Sequence, residues 1–179
     1  MRDEEVKKHL TIFFVIGFII GIIYVNTIGK ELILSYGVFD KYLIQQYSLI
    51  DIRSDEYIGY IIRLRLLPLV LLGICGLTRI KKIVVFVFLC WIGLLAGILF
   101  TVAFAKLGMS GLILCMFGIM PHFICYSAVY VIILRFLYKY PESRWNTIKT
   151  VFIVLMTGMG ILLEIYVNPV LMKIFIKTL

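Results

Sequence analysis

The sequence is poor in the residues from which soluble domains and catalytic centres are built. Charged residues make up 16% of its 179 positions, and it contains only two histidines and four cysteines. Apolar residues make up 63%, and the mean hydropathy of +1.07 is far higher than a soluble domain of this size requires. This composition predicts a single integral membrane domain over residues 1–179, with almost nothing left for a soluble domain.

The sequence also lacks the motifs of known enzymes. It has no HExxH, no GxSxG, no P-loop and no glycine-rich turn after a strand. Its cysteines lie in hydrophobic runs without metal-ligand spacing, which favours a role as small apolar packing residues. Cys125 and His122 are neighbours on a helix, but no third group is present to orient them. We therefore predict a protein that is not an enzyme and that uses neither a metal nor a cofactor.

The excess of basic residues is typical of a membrane protein. Lysine and arginine outnumber acidic residues by 18 to 10, which gives a formal net charge of +8. In so hydrophobic a chain this excess indicates contact with anionic lipid head groups, not with nucleic acid. The densest basic turns lie on the side of the N-terminus, so the positive-inside rule predicts a cytoplasmic N-terminus and an external C-terminus. The predicted partner is the lipid bilayer.

Long uncharged stretches predict about five transmembrane helices, since about 20 apolar residues cross a bilayer. The predicted spans are residues 10–28, 58–77, 83–105, 111–134 and 148–167. The turn at 106–110 is very short, so the third and fourth spans should be antiparallel neighbours. Residues 30–60 mix apolar and charged side chains, which predicts an outer amphipathic segment. A C-terminal interfacial helix is predicted at residues 169–178. The fold class is therefore all-α: a polytopic membrane protein with added interfacial amphipathic helices.

Glycines and prolines inside the spans predict where helices pack and bend. The predicted helix-packing glycines are Gly17, Gly21, Gly93, Gly97, Gly118 and Gly160. The first four form two small-xxx-small pairs, which allow close helix contact and permit a homo-oligomer. Pro68, Pro121 and Pro169 each remove a backbone donor and are the predicted kinks, and Asn168 before Pro169 is typical of a helix N-cap.

A few polar side chains lie within these apolar stretches, where an unpaired charge is costly. The predicted buried polar group is Arg63, Arg65, His122, Glu164 and Asn168. Arg63 and Arg65 are about 200° apart on a helix, so one should face the bundle while the other reaches the membrane surface. At about 1.5 Å per residue Glu164 reaches a depth similar to that of the arginines, which predicts an ion pair with one of them.

Three interpretations of this polar group follow from the sequence, and all three stay open at this stage. The polar side chains can hold the helices in register. They can form a site for a partner or a lipid head group on the outer side. Alternatively, His122 and Glu164 can belong to a pathway for protons or a substrate, since buried ionisable residues often mark such relays.

Three motifs, taken in order, resemble the stage II sporulation protein M family of bacterial membrane proteins. They are Arg63-Leu64-Arg65 ahead of LLPLVLLGI, Pro121-His122 within a late span, and the closing EIYVNP that begins at Glu164. The chain departs from the family after Pro121-His122, where Phe123 follows and Tyr126 occupies the position expected of an acid.

The resemblance implies a multi-pass protein of the bacterial cytoplasmic membrane that is not itself a hydrolase. It implies a scaffold for peptidoglycan-degrading partners, the stage II sporulation proteins D and P, during engulfment in sporulation. The alternative function is a transmembrane subunit of a transporter or ABC-type export system, with Arg65, His122 and Glu164 in its interior.

Overall fold

The computed structural model describes residues 3–28 and 55–176, and this part of the chain contains helices and no strand. The elements are α1 (Asp3–Thr27), α2 (Asp55–Cys75), α3 (Lys81–Lys139), α4 (Thr147–Leu162), a π-helical turn (Leu163–Val167) and α5 (Asn168–Ile176). The predicted all-α class is confirmed for these residues. Most of the predicted outer segment 30–60 and the end of the predicted helix 169–178 lie outside the described residues.

Four stretches of the described chain are long and apolar enough to cross a membrane. They are Glu4–Thr27, Glu56–Cys75, Lys81–Lys139 and Thr147–Ile174. Most of their large apolar side chains are exposed on the protein surface, as expected where acyl chains replace a protein core. The chain is therefore a multi-pass membrane protein, with four such stretches where about five were predicted, because the predicted spans 83–105 and 111–134 both fall in α3.

The backbone of α3 reverses direction near its middle. At Gly108 the backbone angles are φ 59° and ψ −140°, which no α-helix contains. Glycine adopts this positive φ readily because it has no Cβ. A Cβ on Gly111 would overlap the carbonyl of Ala103, although residues eight positions apart in a straight helix are separated by about 12 Å. The helix therefore consists of a first arm, residues 81–107, and a second arm, residues 109–139, and the break lies inside the predicted turn 106–110.

The described residues divide into two compact units. We call residues 3–28, 86–117 and 172–176 the glycine unit, and residues 55–85 and 118–171 the ion-pair unit, after the contacts within each.

In the glycine unit, α1 packs against the first arm of α3 at backbone distance. A Cβ on Gly17, Gly21, Gly93 or Gly97 would overlap the carbonyl of Cys90, Leu94, Phe14 or Phe18, respectively. Only glycine allows two helices to approach this closely. The two predicted glycine pairs thus face each other within one chain, so a homo-oligomer would need another surface.

The helices of the ion-pair unit continue through their prolines. Pro68 lies inside α2 and Pro121 lies inside α3. The backbone of α3 is non-helical at Gly108 and not at Pro121. At Asn168 the backbone is helical, with φ −58° and ψ −46°, and its N–H donates to the carbonyl of Leu163 five positions earlier. The predicted N-cap at Asn168 is therefore wrong. The chain passes from α4 through the π turn into α5, and the wider turn lies just before Pro169, which has no N–H to donate.

Candidate functional site

Arg65 of α2 forms a bidentate ion pair with Glu164 of the π turn. The Nε atom of Arg65 donates to Oε2 of Glu164 at 2.7 Å, and its Nη2 atom donates to Oε1. The Glu164 side chain is only 6% exposed, whereas the Arg65 side chain is 31% exposed. Two parallel charge-assisted hydrogen bonds fix the relative orientation of both groups. Arg65 is thus the arginine that faces Glu164, a choice that the sequence left open.

Tyr126, in the second arm of α3, makes a third hydrogen bond to the same carboxylate. Its Oη atom donates to Oε2 of Glu164 at 2.9 Å, and the ring is buried. The guanidinium carbon of Arg65 lies 4.9 Å from the centroid of the Tyr126 ring, within the range of a cation–π contact. Arg65, Tyr126 and Glu164 therefore join α2, α3 and the π turn into one network, which we call the carboxylate network.

Gly160 makes room for the Tyr126 ring. A Cβ on Gly160 would lie 2.8 Å from Cε1 and 3.0 Å from Cζ of Tyr126, closer than real Cβ atoms approach. The glycine is one helical turn before Glu164, so the ring that packs on it also brings its hydroxyl to the carboxylate. Gly118, the other predicted packing glycine of this unit, is half-buried.

His122 lies beside the carboxylate network. Its ring centroid is 5.7 Å from that of Tyr126, at an interplanar angle of 63°, and its side chain is buried. Three buried polar atoms have no hydrogen-bond partner among the described residues: Nδ1 of His122, Oγ1 of Thr157 and Oδ1 of Asn168. Buried polar atoms in proteins normally have such partners.

Arg63 does not belong to the predicted buried group of five, which agrees with the expectation that only one of the two arginines faces the bundle. Arg63 is exposed, because it lies about 200° around α2 from Arg65 and only one of the two can face Glu164. Asn168 is half-buried at the end of the π turn. The structure thus pairs Arg65 with Glu164. His122 contacts the ring of Tyr126, which in turn bonds to Glu164, and Arg63 is not part of this group.

Tyr126 is not a member of the buried polar group predicted from the sequence. The signal was present, because Tyr126 lies one helical turn after His122 on the same face and occupies the position where an acid was expected. Tyrosine is, however, so common at membrane interfaces that its presence alone did not indicate a hydrogen bond at this site.

The carboxylate network is suited to holding helices together. The Glu164 carboxylate accepts two hydrogen bonds from Arg65 and one from Tyr126, and bonds to a charged acceptor are stronger than those between neutral groups. Among the residues that the structure describes, no three His, Cys, Asp or Glu side chains are grouped closely enough to hold a metal ion.

Comparison with protein-family models, with curated proteins and with solved structures finds no significant match to this chain. The resemblance to the stage II sporulation protein M family therefore rests on its three motifs and stays a prediction.

Proposed function

We propose that the chain is a non-catalytic scaffold of the bacterial cytoplasmic membrane that recruits or anchors peptidoglycan-remodelling partners. The observation that carries the proposal is the carboxylate network, in which the buried charges bind each other and a tyrosine hydroxyl. A paired network of this kind fixes the register of the helices that share it. A rigid helical frame is what a scaffold needs, and the three sporulation-family motifs contribute two of the three network residues.

In this proposal the chain crosses the membrane five times. The two ends of α3 lie near each other, because Nζ of Lys81 is 3.0 Å from the Tyr140 ring centroid and Nζ of Lys82 is 5.9 Å from that of Tyr138. Together with the reversal at Gly108, these contacts support two antiparallel arms, each longer than the ~20 residues of one crossing. The basic turns at 78–82 and 135–149 then lie in the cytoplasm with the N-terminus, and the C-terminus lies outside.

Site-specific photo-crosslinking in native membranes tests the scaffold. A photoreactive amino acid at Tyr60 or Met109, which are both strongly exposed, would sample the outer side in this topology, and one at Trp145 would serve as the cytoplasmic control. We expect adducts with membrane-anchored wall hydrolases from Tyr60 or Met109, including proteins like the stage II sporulation proteins D and P, and none of these from Trp145. Adducts with an ATPase subunit alone would contradict the proposal.

A transporter or export subunit is the second candidate function. It is favoured by the buried polar atoms of His122, Thr157 and Asn168 that have no partner in the described chain, since polar side chains inside a membrane often line a path. Liposomes containing the purified protein separate the two functions. Proton or ion flux that is lost in Glu164→Gln but kept in Arg63→Gln, with equal amounts of folded protein, would refute the scaffold proposal.

A further inference from the structure

A small basic groove lies where the turn between α2 and α3 meets the end of the second arm. Its volume is about 290 Å³, and it is lined by Arg79, Ile80, Lys81, Lys82, Ile83, Leu137 and Tyr140. Ligand pockets in proteins typically range from about 300 to 1,000 Å³. The groove is therefore large enough for a compact charged group and too small for a whole lipid.

The charge of the groove is strongly positive. Three of its lining residues, Arg79, Lys81 and Lys82, are basic, and none is acidic. Between Glu56 and Glu164 the sequence contains a single acidic residue, Glu142, against ten basic ones. Three neighbouring cations repel one another, and an anion bound among them would relieve this repulsion.

Aromatic rings hold two of these cations in place. Nζ of Lys81 lies 3.0 Å from the ring centroid of Tyr140, and Nζ of Lys82 lies 5.9 Å from that of Tyr138. Such cation–π contacts restrict the lysine side chains without neutralising their charge. The ammonium group of Lys81 is thus positioned in advance, which lowers the entropy cost of binding an anion, whereas that of Lys82 lies at the outer limit of such a contact.

Two of the apolar side chains that line the groove are exposed. Ile80 and Ile83 are 55% and 58% exposed, and α3 continues from them as an apolar membrane-spanning helix. A free phosphate ion would gain nothing from these two side chains, whereas the glycerol and acyl carbons next to a lipid phosphate would cover them. The walls therefore favour a lipid over a soluble anion.

We infer that this groove binds the phosphate of an anionic phospholipid, with Arg79, Lys81 and Lys82 as its cationic ligands. The inference is independent of the scaffold proposal, because it depends only on the membrane location and on the groove. Basic clusters beside membrane-spanning helices attract anionic head groups with about a fivefold gain in binding for each lysine.

Lipid retention in nanodiscs tests this inference. The purified protein would be placed in phosphatidylcholine nanodiscs containing a small fraction of spin-labelled phosphatidylglycerol, and the immobilised label would be measured. We expect Lys81→Gln with Lys82→Gln to weaken retention by roughly 25-fold, from about fivefold per lysine. The matched control, Arg144→Gln with Lys149→Gln, removes the same charge next to the second arm, and should weaken retention clearly less than the groove variant because neither side chain lines the groove.

Three results would overturn the inference. Equal losses in the groove variant and the control variant would mean that general surface charge retains the lipid. Unchanged retention in the groove variant would mean that the groove does not bind it. Inorganic phosphate that displaces the labelled lipid at submillimolar concentration would identify a free-phosphate site. If gel filtration shows that the double variant does not fold, Arg79→Gln, a change at an exposed residue, is used instead. Its lipid retention should fall about fivefold.

Discussion

The contacts inside the glycine unit differ in kind from the contacts inside the ion-pair unit. In the glycine unit, glycines of α1 and of the first arm of α3 bring two backbones together at carbonyl distance. In the ion-pair unit, Arg65, Tyr126 and Glu164 connect three helical segments through charge-assisted hydrogen bonds. Apolar side chains gain little from replacing acyl chains with each other in a membrane, so close packing and polar bonding are the two means by which helices recognise each other there.

The comparison predicts that the two units fail in different ways. The glycine contacts leave no space for one added carbon, but they involve no charge. The carboxylate network depends on the pairing of its polar atoms. Changes of volume should therefore damage the first unit most, and isosteric changes of charge should damage the second unit most.

The largest expected effect comes from adding volume to the glycine unit. In Gly17→Val with Gly21→Val, both new side chains would collide with backbone carbonyls of the first arm, which cannot move aside as a side chain can. Overpacking costs about 1–3 kcal/mol at each site, so we expect the free energy of unfolding to fall by roughly 2–6 kcal/mol. Unfolding by SDS titration from mild detergent micelles measures this change.

Gly59→Ala with Gly73→Ala is the matched control for this variant. No atom lies within 4 Å of a Cβ built on either of these helical glycines, so the control should be neutral or slightly stabilising, by up to about 1 kcal/mol for each site. Equal stability of the valine variant and the wild type would show that α1 does not pack on the first arm.

The second expected effect comes from a change of charge in the ion-pair unit. Glu164→Gln keeps the shape of the side chain but leaves the Arg65 guanidinium without its counter-charge. Breaking a fully buried pair costs about 3–5 kcal/mol. Because the Arg65 side chain is 31% exposed, we expect a smaller loss of roughly 2 kcal/mol.

A double-mutant cycle isolates the pair from its surroundings. Arg65→Gln with Glu164→Gln should lose less stability than the sum of the single changes, by at least about 1 kcal/mol. Arg63→Gln removes an exposed arginine two positions away and should change stability by less than about 0.5 kcal/mol. Additive losses at Arg65 and Glu164 would be inconsistent with the ion pair.

The sequence predicted the kinds of contact better than the partners that make them. Gly17 and Gly21 could be recognised as a packing pair from their spacing, but spacing shows which face packs and not which helix it meets. Arg63 and Arg65 were equivalent candidates, because either rotation of α2 satisfies the same helical periodicity. Asn168 followed by proline is typical of an N-cap, yet the same dipeptide also suits the end of a π turn. The choice between the two depends on tertiary packing around Glu164, which local sequence does not contain.

A smaller loss is expected when a single hydrogen bond of the carboxylate network is removed. Tyr126→Phe keeps the ring against Gly160 and deletes only the hydroxyl that donates to Glu164 at 2.9 Å. A hydrogen bond to a charged group contributes about 1.5–3 kcal/mol, and Arg65 still pairs with the carboxylate in this variant, so the free energy of unfolding should fall by about 1.5 kcal/mol. In the Glu164→Gln background the same change should cost less, and an equal cost in both backgrounds would exclude the bond to the carboxylate.

The smallest and most specific test uses two glycines in one helix. Gly158 has no atom within 4 Å of its added Cβ, whereas the Cβ of an alanine at position 160 would meet the Tyr126 ring at 2.8 Å. Alanine is favoured over glycine in a helix by about 0.5–1 kcal/mol. Gly158→Ala should therefore gain this amount, and Gly160→Ala should instead lose about 1 kcal/mol because the ring must move.

The Tyr126→Leu background then shows whether the ring is the cause. Without the rigid ring, the penalty at Gly160 should disappear and the two alanine variants should become alike. A penalty that persists in this background would mean that Gly160 packs against something other than Tyr126. It would then be wrong that the Tyr126 ring packs on Gly160 of α4 and so brings its hydroxyl to Glu164. The presence of a glycine one turn before the carboxylate would need another explanation.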